Sequence, residues 1–154
     1  MRGKPAPKRK PTPDPKYQSA TIGRFINLIM KRGKKTTAQT VVYDALDIIA
    51  EKTKKEPVAM FEQAIKNVAP ILEVKSRRIG GANYQVPIEV KGDRQQTLPM
   101  RWIIDACRHK KGAPMAQKLA TELIDATNKQ GEAMKKREDV HRMAEANRAF
   151  AHFA

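Results

Sequence analysis

The residues of this sequence that could act on another molecule are mostly basic, and they occur in five clusters. Each cluster alone is more often a solvated face than a contact. Four of the five, however, fall in predicted tails, loops or turns, where side chains and backbone can follow a line of phosphates. The clusters are Lys8-Arg9-Lys10, residues 31–35 (KRGKK), Lys75 with Arg77, Arg78 and Arg94, residues 108–111 (RHKK), and Lys135-Lys136-Arg137.

One of these clusters lies on a predicted β-hairpin arm at about residues 71–91. Apolar and polar residues alternate on both sides of a Gly80-Gly81-Ala82-Asn83 turn, and this period of two is typical of strands. Pro87 cannot donate to a central ladder, so its strand must be an edge. An isolated hairpin is marginal in water. The arginines at its tip therefore predict that the tip gains order from a phosphate-bearing partner.

Tyr84 lies beside the turn of this arm. An aromatic ring at that position could stack on an unpaired base. It could equally cover the opposing strand of the hairpin. The sequence leaves both alternatives open.

Enzymatic chemistry finds little support in the sequence. Residues 33–36 (GKKT) are similar to the end of a phosphate-binding loop, but Leu28 stands where its first glycine belongs, and Lys35 replaces the serine or threonine. His109, His141 and His152 lack a metal-ligand spacing. We therefore predict no catalytic residue, no metal site and no cofactor.

Three further features have structural interpretations. Cys107 lies on an apolar helical stripe, where a small buried hydrophobe is more common than a nucleophile. Residues 138–141 (EDVH) lie on a charged helix face, which solvation and charge pairing explain without acid–base catalysis. For Trp102, its apolar neighbours at helical spacing favour an anchor in the core or under the arm over a stacking platform.

The composition narrows the class of partner. Lys and Arg number 31 against 16 acidic residues, which gives 154 residues a formal net charge of +15. A field of this size favours a polyanion, with nucleic acid ahead of an anionic membrane or an acidic protein. The single cysteine requires no oxidising compartment, and no stretch approaches the roughly 20 apolar residues of a membrane span. We therefore expect a cytoplasmic protein that binds no membrane.

The hydrophobic periods predict a mainly α fold. Helical stripes begin at Ile22, near Ala38, at Phe61, at Trp102 and at Ala116. A last, weakly apolar helix is expected from about Glu132 to Phe150. The prediction is a bundle of about six helices with a protruding two-stranded β-hairpin arm. We expect residues 1–17 to form a basic, proline-rich, extended N-terminal tail and residues 18–154 to form a single helical domain, which the charge predicts to be an RNA-binding domain.

Five stretches together form a specific pattern: residues 13–17 (PDPKY), 74–81 (VKSRRIGG), 84–87 (YQVP), 100–102 (MRW) and 135–152 (KKREDVHRMAEANRAFAH). In these stretches the sequence resembles the family of bacterial small-subunit ribosomal protein seven. The resemblance covers essentially the whole chain in order. It implies a six-helix body with a β-hairpin arm, which agrees with the fold predicted from the periods alone.

The resemblance also implies a function and a set of partners. It implies a primary binding protein for the 3′ major (head) domain of small-subunit (16S) ribosomal RNA, with the arm near the exit-site transfer RNA and the messenger exit channel. Small-subunit protein eleven would be a neighbour, and proteins nine, thirteen and nineteen would share the head assembly. The sequence departs from the family pattern in two places. Its last residues, 151–154 (AHFA), stand where family members often continue, which bears on the contact with protein eleven. Pro99 lies where relatives have a helix former, so it is expected either in the first turn of helix four or at a slight kink of that helix.

The function expected from the sequence is thus a non-enzymatic, structural RNA-binding protein of the small ribosomal subunit that takes part in ribosome assembly and translation. A DNA-binding architectural protein and an RNA-modifying enzyme are the alternatives. Arg77, Arg78 and Tyr84 are expected near transfer RNA or messenger. The residues expected to bind ribosomal RNA are Lys8, Arg9, Lys10, Lys16, Lys34, Lys35, Lys75, Arg94, Arg108, Lys110, Lys111, Lys135 and Lys136.

Overall fold

A computed structural model describes Gly3, Ala6 and residues 11–153. Lys8, Arg9 and Lys10, which are predicted to bind RNA, lie outside the described residues. The chain divides into two compact units, residues 1–39 and residues 40–154. The predicted division into a tail of residues 1–17 and one helical domain stays a prediction.

In the first unit, a turn precedes helix α1 (Ala20–Ile29). Asp14 is buried, and its carboxylate accepts hydrogen bonds from the backbone N–H groups of Lys16 and Tyr17, at 3.1 and 3.0 Å. Gly23 permits this turn to approach the helix, since a Cβ there would lie 2.5 Å from the carbonyl oxygen of Thr12. Ser19 is the N-cap of α1 and its side chain accepts a hydrogen bond from the N–H of Ile22, a role for which serine is strongly preferred.

The other helices match the predicted stripes. Helix α2 (Lys35–Thr53) follows the loop that contains Gly33, whose φ of 73° favours glycine. Helices α3 (Pro57–Val68), α4 (Asp93–His109), α5 (Met115–Thr127) and α6 (Glu132–Ala146) follow. The buried apolar side chains of the second unit include Ala45, Leu46, Ile49, Phe61, Ala64, Val68, Val86, Met100, Ile103, Leu119 and Leu123.

The hairpin joins β1 (Leu72–Ile79) to β2 (Ala82–Glu89) in antiparallel pairing. Gly80 and Gly81 connect the strands with φ angles of 56° and 92°. Two central residues with positive φ make a type I′ turn, whose twist suits a two-residue hairpin. The described chain is therefore mainly helical with one two-stranded antiparallel hairpin, which confirms the predicted fold class.

One local prediction needs correction, and one of the two alternatives for Pro99 is excluded. The last α-helix ends at Ala146 rather than near Phe150, because Asn147 terminates it with both its backbone N–H and its side-chain amide on the carbonyl of Met143. A 3₁₀ helix (Arg148–Phe153) follows. Pro99 lies inside α4 and is buried, beyond the first turn that was one of its two predicted places.

No α-helix among the described residues combines the length and the apolar character needed to cross a bilayer.

Candidate nucleic-acid interface

The base of the arm holds a carboxylate between two cations. The side chain of Glu73 is 9% exposed and accepts from Arg94 Nε at 2.7 and 2.8 Å and from Arg94 Nη2 at 2.6 Å. The Lys75 Nζ atom lies 3.4 Å from the same carboxylate. Lys75 and Arg94, both predicted to bind ribosomal RNA, are therefore brought together through an acidic residue.

This pairing fixes the ionised forms of both partners. The hydrogen bond from Arg94 lowers the pKa of Glu73 against the opposing effect of its burial, and the charges of Arg94 and Lys75 lower it further. The same hydrogen bond raises the pKa of Arg94. About half of each cationic side chain remains exposed. Glu73 holds the guanidinium of Arg94 in one orientation. The remaining N–H donors of Arg94 can therefore bind a phosphate with little further ordering of the side chain.

The tip of the arm contacts the carboxyl-terminal 3₁₀ helix. Arg77 Nη1 donates to the backbone carbonyl of Phe153 at 2.7 Å. The Tyr84 ring lies 5.1 Å from that of Phe150 and 5.7 Å from that of Phe153, between ring centroids. The sequence left open whether Tyr84 stacks on a base or packs within the protein. In the structure its ring packs within the protein, and it covers the carboxyl-terminal 3₁₀ helix in addition to the opposing strand.

Lys110 binds inward to a carboxylate that the sequence analysis did not single out. Glu122 is fully buried, and its Oε2 atom lies 2.5 Å from Lys110 Nζ. Its Oε1 atom accepts the backbone N–H of Ala133, at the start of α6, at 2.8 Å. Glu122 thus ties the end of α4 and the beginning of α6 to α5.

Glu122 contributes to the raised pKa values of Lys110 and of the nearby Cys107. Burial disfavours the charge of Lys110, yet the hydrogen bond and the charge of Glu122 raise the pKa of Lys110 above its ordinary value. Burial, with the charge of Glu122 next, raises the pKa of Cys107 to about 12. The thiol of Cys107 is therefore protonated and behaves as a small apolar group.

Helix α6 contributes two hydrogen bonds that hold other elements. His141 Nε2 accepts the backbone N–H of Ile71, next to β1, at 3.1 Å. Burial, followed by the charge of Arg137, lowers the pKa of His141, so the ring is a neutral acceptor. Arg137 Nη1 donates to the carbonyl of Asn67 near the end of α3 at 2.7 Å. Position 137 in the basic cluster therefore has a structural contact.

The remaining predicted contacts are at the surface or close to it. Arg108 lies 3.8 Å from Asp105 in an i, i+3 ion pair. Lys110 and Lys136 line one cleft of about 510 Å³, with Trp102 half-buried in its wall. Trp102 is therefore neither fully buried in the core nor fully exposed as a surface on which a base could stack. The other predicted contacts with ribosomal RNA among the described residues are exposed as well: Lys16, Lys34, Lys35, Lys111, Lys135 and Lys136.

Two carboxylates are thus the residues that the sequence-based reasoning missed. A signal for each was present. Glu73 precedes Lys75 by two residues, which places both side chains on one face of a strand. Glu122 follows Leu119 by three and precedes Ala126 by four, within an apolar helical stripe. An acidic residue on a buried stripe requires a partner.

Comparison with known proteins shows the family. Residues 1–148 match the model of ribosomal protein S7p/S5e. The chain belongs to the ribosomal protein S7 family. It is 57% identical to small ribosomal subunit protein uS7 of Marinobacter nauticus over 148 residues, which cover 96% of this chain and 95% of the relative. The same protein of Thermotoga maritima is 57% identical over 153 residues, 99% of each chain.

Membership of the S7 family confirms the resemblance read from the sequence. This S7-family chain is a structural ribosomal protein that serves translation, and the prediction that it is not an enzyme is confirmed by the family. More distant relatives agree, since small ribosomal subunit protein uS7 of Xanthobacter autotrophicus is 54% identical over 148 residues, 96% of this chain and 95% of the relative.

Proposed function

We propose that this protein, as a component of the small ribosomal subunit, binds and organises the 3′ major domain of 16S ribosomal RNA. Each basic cluster contacts phosphates of a folded RNA junction and thereby restricts the arrangements of the RNA helices that meet there. Recognition then depends on RNA shape and exposed loop bases more than on a linear sequence. The alternatives of a DNA-binding protein and a modifying enzyme lack a supporting observation beyond charge.

The observation that carries this proposal is the contrast between paired and exposed cations. Lys34, Lys35, Lys111, Lys135 and Lys136 are exposed, and within the described part of the chain none of them has an acidic side chain at ion-pair distance. Unpaired lysines at helix ends and loops keep their full charge for phosphates. Lys16 and Arg108 have partners within the protein and are proposed contacts on the strength of the sequence pattern alone, as are Lys8, Arg9 and Lys10.

The arm supplies a second part of the proposal. Arg94 and Lys75, oriented by Glu73 at the base of the arm, bind ribosomal RNA, while the tip reaches the exit-site transfer RNA and the messenger near the exit channel. Small-subunit protein eleven is a proposed neighbour, with proteins nine, thirteen and nineteen in the same head assembly. The resemblance to the family supports these partners.

The proposal is tested by filter binding of the full-length protein to an isolated 3′ major domain transcript across a salt series. Lys34→Ala combined with Lys35→Ala removes two proposed phosphate contacts. The matched control is Lys54→Ala combined with Lys55→Ala, because these are also neighbouring exposed lysines but have no proposed contact. The logarithm of the binding constant falls with the logarithm of the salt concentration, with a slope of roughly 0.9 for each phosphate contact. When salt rises from 50 to 200 mM, a variant that lacks two contacts should therefore lose about tenfold less affinity than the unmodified protein.

We expect the first double variant to bind more weakly and with a shallower salt dependence than the control. Equal effects of the two double variants would show that net charge alone drives binding. Equal affinity for an unrelated RNA or DNA duplex at the same salt would also contradict the proposal, since a folded junction would then have no advantage.

A further inference from the structure

The two arginines at the tip of the arm lie on opposite faces of the hairpin. The strand register pairs Arg77 with Tyr84 and Arg78 with Asn83. Successive side chains of a strand point to opposite faces, and directly paired residues share a face. Arg77 and Tyr84 therefore lie on one face, which we call the closed face. Ser76, which pairs with Gln85, lies with Arg78 on the other face.

The closed face is covered by the protein itself. Phe150 and Phe153 pack against Tyr84 with tilted rings, and they lie parallel to each other at 6.5 Å between centroids. Arg77 donates to the last of these residues through its backbone carbonyl. A base that stacked on Tyr84 would have to displace two aromatic contacts, each of which is itself favourable.

The opposite face at the tip is open. Ser76, Arg78, Asn83 and Gln85 are all exposed, and their side chains have no hydrogen-bond or ion-pair partner among the residues that the structure describes. Together they offer one guanidinium, two amides and one hydroxyl. A guanidinium matches a phosphate, and the amides and hydroxyl can exchange hydrogen bonds with a ribose 2′-hydroxyl.

We propose that this open face, composed of Ser76, Arg78, Asn83 and Gln85, is the surface of the arm that binds the ribose–phosphate backbone of an RNA strand. Arg78 contacts a phosphate, and the three neutral side chains contact the sugars beside it. Arg77 instead positions the tip, because its hydrogen bond holds the arm against the carboxyl-terminal 3₁₀ helix. This inference rests on the proposed function of the arm and divides that function between two neighbouring residues.

The test compares two matched variants in reconstituted small subunits. Arg78→Met and Arg77→Met each remove one positive charge at adjacent positions and keep a long apolar stem, so long-range electrostatics change equally. Lys66→Met, an exposed lysine on α3 outside the proposed interface, is the control for charge alone. The readouts are retention of exit-site transfer RNA in assembled ribosomes and hydrogen exchange of residues 148–153 in the free protein.

We expect Arg78→Met to weaken transfer RNA retention about tenfold, the size of one lost charge-assisted hydrogen bond, without faster exchange in the 3₁₀ helix. Arg77→Met should accelerate that exchange and weaken retention less. A messenger that stops before the exit channel isolates the transfer RNA contact. If Arg78→Met weakens retention only with a longer messenger, the bound strand is the messenger.

Other outcomes overturn the inference. Equal losses of retention in the two arginine variants, with exchange unchanged, would show that both faces contact RNA. Normal retention of both RNAs in both variants would remove the role of the tip altogether. In that case the salt-series binding to the 3′ major domain still decides separately whether the ribosomal RNA part of the proposed function holds.

Discussion

Removing the positive charge of Lys110 should destabilise the protein rather than weaken RNA binding. In Lys110→Met, the fully buried carboxylate of Glu122 would lose its counter-ion, which lies at 2.5 Å. Breaking a buried pair from one side costs about 3–5 kcal/mol. Because the Lys110 side chain is 32% exposed, water can solvate part of the orphaned charge. We therefore expect a loss in unfolding free energy near the lower end, about 3 kcal/mol.

A double-mutant cycle isolates the charge pair. Glu122→Gln keeps an oxygen for the N–H of Ala133 and removes only the negative charge, so it should cost about 1–3 kcal/mol. In the double variant with Lys110→Met no buried charge is left unpaired. Its cost should therefore be close to that of Glu122→Gln alone, which predicts a coupling of about 2–3 kcal/mol between the two positions.

Urea denaturation followed by tryptophan fluorescence measures these free energies. Trp102 is the single tryptophan, and it lines the same cleft as Lys110, so its signal reports on the affected region. A cost below about 0.5 kcal/mol for Lys110→Met, the range of ordinary surface substitutions, together with weaker RNA binding, would refute the reasoning. Lys110 would then be the ribosomal RNA contact that the sequence suggested.

Three further predictions concern titratable groups. Burial lowers the pKa of His141 below 6.5, so the unfolded chain binds more protons and stability should fall as pH drops below about 6.5. The protection of the Ile71 amide against hydrogen exchange, relative to the unfolded rate at the same pH, should fall with it, and His141→Gln should flatten the pH dependence of stability. The raised pKa of Cys107, about 12, leaves roughly one thiol in ten thousand ionised at pH 8. Iodoacetamide should therefore label Cys107 only after the protein is unfolded in urea, and rapid labelling of the folded protein would contradict the burial of this thiol. Because Arg94 lowers the pKa of Glu73 below 4.5, the ion pair stabilises the fold fully above about pH 4.5, and this stabilisation is lost as the pH falls through the lower pKa of the folded state. The Glu73→Gln variant should not show this loss of stability in acid. Stability curves of the two proteins that stay parallel below pH 4.5 would contradict the prediction.

The helices and the hairpin could be predicted from the sequence because each follows from a local period. The stripe that begins at Ile22 and the alternation around Gly80-Gly81 need no tertiary information. The end of α6 was placed too late, since nothing in the sequence around Asn147 excludes a continued helix. The contact of Phe153 with Arg77 spans 76 positions, and no local pattern reports such a pairing.

The candidate site was harder to predict for the same reason. Basic clusters identify where cations lie, but the partners of those cations are set by tertiary packing. Lys110 and Lys111 are neighbours in one cluster, yet one binds buried Glu122 and the other is exposed. Charge density therefore predicted the class of ligand, whereas burial of a carboxylate decided which lysine is available to it.

The buried carboxylates of Glu73 and Glu122 give a physical reason for this division of cations. A chain of net charge +15 repels itself most where basic segments converge, and self-repulsion destabilises the compact state. Glu73 and Glu122 each lie at such a point and attract Arg94 and Lys110 respectively. Glu73 also orders Arg94 before RNA arrives, so less side-chain entropy is lost on binding. Buried acidic residues can thus stabilise the fold and orient part of the interface while the exposed lysines keep their charge for RNA.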